Sequence, residues 1–316
     1  MKNNISNFEA KKSFSKLVMI CLIPPIYIDE YWDYYIKEYC LEDMWDKFLQ
    51  EYTDSKFTYE SFKNEYTDII LKTIDFIRNR WSDDVYKKYN DLVNSTPQLI
   101  PEYDPKKFPD GEYLDVDIHG AVDMALRNID IFDDEYTSTY DVFKTISGNP
   151  IFHNMKRLRL NVYNNMQDKQ DYIYNIHSKV SLERLYQSGD PIIEHLNKKY
   201  QLFGKTRGDS YFYKLDDKSG LDDILGNHTY GDFFYHIDVV TAKNMKIFGK
   251  PYTFIITKDK ENKINNLALY NPFIRANLSL YPFAYKLALG EELNEKDLAV
   301  GYEDEIFFHY DKSEII

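Results

Sequence analysis

The chain has 316 residues, which leaves room for one large domain or two smaller ones. Hydrophobic residues make up 43% of it and aromatic residues 16%, which is enough apolar material for a buried core and excludes an intrinsically disordered chain. The formal net charge of -13 excludes a protein that attracts nucleic acid by its overall charge. Any contact with nucleic acid then requires a local basic patch.

The composition also bears on origin and compartment. Tyrosine occurs 29 times and phenylalanine 20 times against 12 glycines, a bias typical of the AT-rich genomes of phages, giant viruses and low-GC bacteria. Cys21 and Cys40 are too few for a disulfide framework, so we expect a reducing, cytoplasmic location, in a host cell if the protein is viral. The apolar run from Leu17 to Ile23 is too short to span a bilayer and has no small-residue cleavage site, so we expect neither secretion nor a membrane partner.

The first part of the chain has helical periodicity. Between Ile28 and Asn94 aliphatic and aromatic residues recur every three or four positions, as in Ile70, Ile74 and Ile77. This predicts a helical N-terminal region over residues 1–95. Residues 96–112 follow with four prolines and an Asp-Gly pair, which is typical of an extended linker that ends in a turn.

Strand and helix patterns alternate in the remainder, residues 113–316. We expect a strand at Tyr113–Ile118, a helix at Ala121–Asn128 and a hairpin near residue 207. Further predicted helices cover 151–165, 168–186 and 282–289, and further strands cover 233–240, 247–257, 267–270 and 306–310. The fold class predicted from this order is α+β, with a helical N-terminal region and a mixed domain that contains an antiparallel sheet.

The segment YLDVDIHGAVDMAL, residues 113–126, contains the first candidate site residues. Asp115 and Asp117 occupy alternate positions of the predicted strand, so both carboxylates lie on one face. Carboxylates at a strand end are hard oxygen ligands of the kind that Mg²⁺ prefers. The alternative is that one aspartate caps a turn and the other is solvated.

A second candidate is the tip of the predicted hairpin, Arg207-Gly208-Asp209-Ser210. Glycine permits the turn, and Asp209 is left between two apolar strands. Next to Asp117 on a neighbouring strand, Asp209 would complete a pair of carboxylates able to hold two metal ions roughly 4 Å apart. Without such a neighbour the segment is an ordinary turn.

In chain order these segments resemble the palm of template-dependent polymerases, particularly the family B DNA polymerases. Asp117, followed by Ala121 and Leu126, resembles the first palm motif, an aspartate on a strand that leads into a helix. KRLRLNVYNN, residues 156–165, resembles the motif of the fingers helix. The substrate-binding residues implied by that second motif are Arg157, Asn161 and Tyr163.

Two further segments continue the resemblance, which covers about residues 113–256. FGKTRGDSYFY is similar to the metal-binding hairpin, with Asp209 in the carboxylate position. FGKPYTF is similar to the Lys-x-Tyr element that contacts the primer terminus, which implicates Lys250 and Tyr252. The resemblance implies a palm-like domain over residues 113–316, Mg²⁺ or Mn²⁺ bound by Asp117 and Asp209, and nucleic acid and a nucleoside triphosphate as partners.

The sequence departs from the family pattern in ways that leave two alternatives open. Asn164 stands where the fingers motif has glycine, Tyr163 is displaced by one position, and the hairpin tip lacks a second acidic residue. The chain is therefore either an active nucleotidyltransferase or a minimal, catalytically degenerate palm. In an active palm, Arg157 and Lys156 are expected to neutralise the triphosphate.

Other interpretations come from different parts of the sequence. Asp304 and Glu305 precede an apolar strand and are an alternative to Asp209 as the second half of the acidic site, although such charge runs are usually solvated turns. A different class of function is a viral or phage structural or assembly protein without enzymatic activity. In that case tyrosine-rich surfaces would contact other proteins or further copies of the chain.

Overall fold

The computed structural model describes residues 7–17, 28–29, 32–33, 36, 41–53, 59–95, 109–205, 210–247, 250–258, 264–270, 286–287, 290–302, 305–309 and 311–314. These residues form helices and antiparallel strands, which confirms the predicted α+β class. The chain divides into two compact units, the first comprising Met1–Leu71, Phe143–Asn161 and Asn244–Ile316 and the second Lys72–Val142 and Val162–Lys243. A boundary at residues 96–112 stays a prediction, because 96–108 lie outside the described residues.

Most helices of the described residues follow the sequence pattern, but the helices at Thr139–Ile146 and Pro191–Lys199 were not predicted. Their bounds are α1 (Asn7–Leu17), α2 (Glu42–Thr53), α3 (Tyr59–Asn79), α4 (Asp83–Ser95), α5 (Ala121–Asn128), α6 (Thr139–Ile146), α7 (Lys156–Asn165), α8 (Gln170–Gln187) and α9 (Pro191–Lys199). The α5 bounds are those predicted. Helix α7 begins five residues after the predicted start at 151, because Asn149 caps a separate short 3₁₀ turn at Pro150–Phe152.

Several strands lie close to their predicted positions, but the strands at Gly226–Tyr230 and Ala299–Tyr302 were not predicted, and the strand predicted at 233–240 extends to Ile247. They are β1 (Gly111–Ile118), β2 (Leu202–Lys205), β3 (Ser210–Lys214), β4 (Gly226–Tyr230), β5 (Phe233–Ile247), β6 (Lys250–Lys258), β7 (Ile264–Tyr270), β8 (Ala299–Tyr302) and β9 (Glu305–His309). Of the helix predicted at 282–289, residues 286 and 287 are helical, and the rest lie outside the described residues.

The second unit is built around an antiparallel sheet with the strand order β2-β3-β1-β5, and β4 also pairs with β5. In this arrangement β1 is central. Asp117 of β1 lies opposite Ser210 of β3 on one side and opposite His236 of β5 on the other. Because side chains alternate along strands, each β1 residue shares its face of the sheet with both of its partners.

One face of this sheet forms the hydrophobic core of the unit, and we call it the core face. Tyr213 donates a hydrogen bond to Asn197 Oδ1 of α9 at 2.8 Å, and Tyr235 donates one to Asp190 Oδ2 at 2.7 Å. These bonds give the two buried hydroxyls partners on the helical side of the sheet. The members of the core face, all at most 1% exposed, are Leu114, Val116, Ile118, Tyr211, Tyr213, Tyr235 and Ile237.

Helix α9 begins at a strong cap. Asp190 is 3% exposed, and its Oδ1 accepts hydrogen bonds from the backbone N–H groups of Ile192 at 2.8 Å and Ile193 at 3.3 Å. Pro191 occupies the first helical position, where its missing N–H is not needed. The other oxygen of Asp190 accepts the Tyr235 hydroxyl, so a single carboxylate links the start of α9 to the sheet.

The first unit contains an aromatic cluster and two strand pairs. Phe14 of α1, which is fully buried, contacts Trp45 and Phe48 of α2 with ring centroids 5.2 and 5.1 Å apart. Strand β6 pairs antiparallel with β7, and β8 pairs antiparallel with β9. Within the described part of the chain, no helix has both the length and the apolar character needed to cross a bilayer.

Candidate functional site

The face of the sheet opposite the core face carries polar side chains along its central strands, and we call it the acidic face. Asp115 and Asp117 of β1 lie on it, as the alternation in the sequence predicts. The pairing of β1 with its neighbours adds Ser210 from β3 and two side chains, His236 and Asp238, from β5. All five residues are half-buried.

The register of β1 and β5 places like charges directly opposite one another. Asp115 pairs with Asp238, and directly opposite residues in an antiparallel pair have Cβ atoms about 4.5–5.5 Å apart. Two carboxylates at that separation repel each other, and half-burial weakens the screening by water. The acidic face therefore brings three carboxylates onto one surface, two of them directly opposite each other.

His236 of β5 contacts one polar residue of its own strand and one of β4. Its Nε2 lies 3.1 Å from Asp238 Oδ2, and its Nδ1 lies 2.8 Å from Asn227 Oδ1 of β4. A protonated imidazole donates through both nitrogens, so it can satisfy both oxygens at once. His236 thereby orients the Asp238 carboxylate.

Asp117 has a described neighbour on β3. Ser210 Oγ donates a long hydrogen bond of 3.4 Å to Asp117 Oδ1. Ser210 is also the Cα partner of Asp117 in the β1–β3 register. The predicted partner, Asp209, precedes Ser210 in the sequence but lies outside the described residues, so its pairing with Asp117 stays a prediction.

The turn after β1 leads the chain directly from the acidic face into a helix. Gly120 caps α5 in the left-handed conformation, with φ of 62°, and a Cβ at this position would meet no atom within 4 Å. Steric crowding thus does not require glycine here, whereas the backbone conformation favours it. Strand, turn and helix follow each other as the sequence predicts.

The residues predicted from the fingers motif lie on α7. Asn161 donates from Nδ2 to the hydroxyl of Tyr66 at 2.5 Å within the first unit. Tyr163, which is 4% exposed, donates its hydroxyl to the buried carboxylate of Asp123 within the second unit. The backbone of Arg157 is helical, but its side chain lies outside the described part of the chain. Substrate contacts by these three residues stay predictions.

The residues predicted from the Lys-x-Tyr element lie on β6 of the first unit. Lys250 begins the strand, and its side chain is outside the described part. Tyr252 is 8% exposed. Of the alternative acids, Glu305 begins β9, opposite Tyr302 of β8, whereas Asp304 lies outside the described residues.

The chemistry of the acidic face suits a hard cation, because its donors are carboxylate oxygens and a hydroxyl. Over the described ranges, however, no group of three or more His, Cys, Asp or Glu side chains is arranged to hold a metal ion. The described residues supply Asp117 as one ligand of the predicted pair. The fit of Mg²⁺ or Mn²⁺ therefore depends on Asp209.

Sequence reasoning missed His236 and Asp238. The segment FFYHIDVV on β5 has the same alternation as YLDVDI on β1, with polar residues two positions apart in an otherwise apolar strand. That repeated pattern was the available signal. It becomes informative once β1 and β5 are known to be neighbours, because the polar positions then fall on one face.

The chain was compared with known proteins in three ways. Neither family models, nor curated proteins, nor solved structures gave a match to this chain.

Proposed function

We propose that this protein is a nucleotidyltransferase with a palm-like catalytic unit. Asp117 and Asp209 bind Mg²⁺ or Mn²⁺, and the substrates are a nucleoside triphosphate and a nucleic-acid strand. The observation that carries the proposal is the acidic face, where Asp115, Asp117 and Asp238 share one half-buried surface of the central strands.

The acidic face places like charges directly opposite one another. Directly opposite carboxylates destabilise a strand pair, and an uncharged polar residue at either position would avoid the repulsion. Proteins depart from such local rules most often at functional sites. The central position of β1, its exit into α5 through Gly120 and the pairing of Asp117 with Ser210 support a site at this end of the strand.

The metal ions, when bound, supply charge neutralisation of the triphosphate and activation of the attacking hydroxyl. Asp117 holds its carboxylate at the strand end, with Ser210 as a hydrogen-bond donor that limits its rotation. His236 orients Asp238 on the same face. The basic residues Lys156 and Arg157 are assigned to the triphosphate, as the resemblance to the fingers motif implies. Lys250 and Tyr252 are assigned to the primer strand.

The test is calorimetric titration of the full chain with a nucleoside triphosphate, with and without Mg²⁺ or Mn²⁺. Wild type is compared with Asp117→Asn and Asp209→Asn, which remove the charge and keep the shape. Asp222→Asn, at an exposed aspartate between β3 and β4, is the matched control. We expect metal-dependent binding in wild type and control, and its loss in both site variants. Metal-independent binding, or none in the wild type, contradicts the proposal.

Primer extension then distinguishes the two forms of the proposal. An active enzyme extends a primed template in a reaction that requires Asp117. A degenerate palm binds metal and nucleotide without extension, and its role is then that of a binding protein.

A second candidate is an assembly protein, which exposed aromatic side chains of the second unit favour. Tyr172, Tyr174 and Tyr186 of α8 are 37%, 41% and 42% exposed, and aromatic residues are enriched at protein interfaces. Sedimentation of the full chain over a range of concentrations tests this candidate. Oligomers that dissociate in the variant Tyr174→Ser/Tyr186→Ser, together with no nucleotide binding, support assembly. A monomer at all concentrations contradicts self-assembly.

A further inference from the structure

Strand β5 presents a large aromatic side chain next to the acidic face. Phe234 is 51% exposed, whereas Phe233 and Tyr235 on either side of it in the chain are 0% and 1% exposed. Because side chains alternate along a strand, Phe234 points to the same face of the sheet as His236 and away from the core face. Its ring is therefore open to a ligand that reaches the acidic face.

The residues beside Phe234 in the sheet are polar. The register of β4 and β5 places Thr229 opposite Phe234, and both residues are exposed. On the β1 side, the backbone N–H of His119 donates to the carbonyl oxygen of Phe234 at 2.9 Å, which continues the strand pairing one residue beyond Ile118. The exposed His119 ring has its centroid 6.4 Å from that of His236, so it lies on the same face.

An aromatic ring with polar neighbours suits a nucleobase. A base stacks on an aromatic side chain through its flat face, and its edge carries hydrogen-bond donors and acceptors. The Phe234 ring supplies the flat contact, and the His119 imidazole and the Thr229 hydroxyl supply groups that donate and accept hydrogen bonds. An apolar protein partner would instead require a contiguous apolar patch, which the polar residues beside Phe234 interrupt.

The spacing between Phe234 and the proposed metal ligand fits a single nucleotide. His236 follows Phe234 by two positions and lies opposite Asp117 of β1. Residues two positions apart along a strand are separated by about 7 Å. A base stacked on Phe234 and a phosphate group beside Asp117 are therefore close enough to be joined by the sugar of the same nucleotide.

We propose that Phe234 binds the base of the nucleoside triphosphate by stacking, an inference that rests on the function proposed for the acidic face. Phosphate binding is assigned to Asp117 and its metal ions. Phe234 then supplies the contact that distinguishes a nucleotide from a bare polyphosphate. Because every base has a flat aromatic face, this contact accepts all of the bases and does not by itself select one of them.

Calorimetric titration of the full chain, with and without Mg²⁺, compares ATP with inorganic tripolyphosphate, which has the phosphates without the base. Phe234→Ala removes the ring, and Phe234→Trp replaces it with another aromatic ring. Tyr230→Ala is the matched control, because Tyr230 is 43% exposed on the neighbouring strand and, being opposite Phe233, lies on the other face of the sheet. The tripolyphosphate titration also reports whether each variant keeps its phosphate site.

We expect Phe234→Ala to bind ATP about tenfold more weakly than wild type and to bind tripolyphosphate equally well, with the other two variants close to wild type for both ligands. Unchanged ATP binding in Phe234→Ala, or equal weakening in Tyr230→Ala, overturns the stacking inference, while metal-dependent binding of tripolyphosphate leaves the proposed function standing. ATP binding that needs Phe234 but no metal ion supports the stacking contact and contradicts the proposed function. No binding of ATP to wild type contradicts both.

Discussion

The two faces of the sheet in the second unit are formed by the same strands but carry different kinds of side chain near the end of β1. On the core face, Val116 is fully buried between Tyr211 of β3 and Ile237 of β5. One residue further along β1, Asp117 lies between Ser210 and His236 on the acidic face. The period of two along a strand therefore places apolar side chains on the core face and, at this end of β1, polar side chains on the other face.

The two faces differ in the neighbours of their polar side chains. On the core face the hydroxyls of Tyr213 and Tyr235 each donate to a helix-side acceptor. On the acidic face Asp115 is placed opposite Asp238. We infer that substitutions on the core face change stability, whereas substitutions on the acidic face change binding and leave stability nearly unaltered. The predictions below test that separation.

The largest effect is expected for Tyr213→Ala. The side chain is fully buried, so its removal leaves a cavity and deprives Asn197 of its hydrogen-bond donor. We expect the free energy of unfolding to fall by about 3–5 kcal/mol. Asp117→Asn, on the other face, should change it by less than about 0.5 kcal/mol. Urea denaturation followed by circular dichroism measures both; similar losses in the two variants would show that the faces are not separate in their roles.

A smaller loss is expected for Asp190→Ala, which removes the link between the core face and α9. The substitution deprives Ile192 and Ile193 of a cap and leaves the Tyr235 hydroxyl buried without its acceptor. Together these changes should lower the free energy of unfolding by about 2–3 kcal/mol. Asp190→Asn keeps an acceptor for the cap and should recover part of the loss. The comparison uses the same denaturation assay, and a neutral Asp190→Ala variant would contradict the assigned link.

Local features of the sheet could be predicted from the sequence, whereas the pairing of its strands could not. The run of alternating residues in β1 and the helical pattern after Gly120 are local, so the strand and α5 could be predicted closely. The position of Asp115 and Asp117 on one face followed from the same alternation. Which strands lie beside β1 depends on pairing between residues about 120 positions apart, which no local pattern specifies.

The candidate site was therefore half predicted. Asp117 could be predicted from the local pattern of its own strand. The roles of His236 and Asp238 could be predicted only with knowledge of the β1–β5 register. The buried contact between Tyr163 and Asp123 likewise joins two helices that are distant in sequence. By contrast, the Asp190-Pro191 pair is a local helix-start signal in the sequence, from which the start of α9 could have been predicted.

Alkaline pH should weaken the core face selectively. Burial, followed by the charge of Tyr186, raises the pKa of Tyr213, and burial together with the hydrogen bond to Asp190 raises the pKa of Tyr235, both above the ordinary 10.0. Below pH 10 the hydroxyls are protonated in folded and unfolded chains alike, so this stability is fully present. Above pH 10 the unfolded chain loses protons that the folded chain keeps, and stability falls by up to about 1.4 kcal/mol per pH unit for each tyrosine.

The test of this pH dependence is the slope of unfolding free energy between pH 9 and about 11. Tyr213→Phe should reduce this slope by the contribution of one tyrosine, independently of any change in the free energy of unfolding at neutral pH. Tyr174→Phe, at a side chain that is 41% exposed, is the control and should leave the slope unchanged. A slope unaffected by Tyr213→Phe would mean that this hydroxyl does not stay protonated in the folded chain.

The smallest effect on stability is expected on the acidic face itself. Asp115→Asn removes the repulsion from Asp238 and should raise the free energy of unfolding by about 0.2–1 kcal/mol at low salt, with the difference shrinking in 1 M potassium chloride. Asp238→Asn removes the same repulsion but also weakens the contact with His236 Nε2, so its gain should be smaller. A loss of stability in Asp115→Asn would show that this carboxylate supports the fold. A gain means that the charge is kept at a cost to stability, as expected of a surface retained for binding a cation.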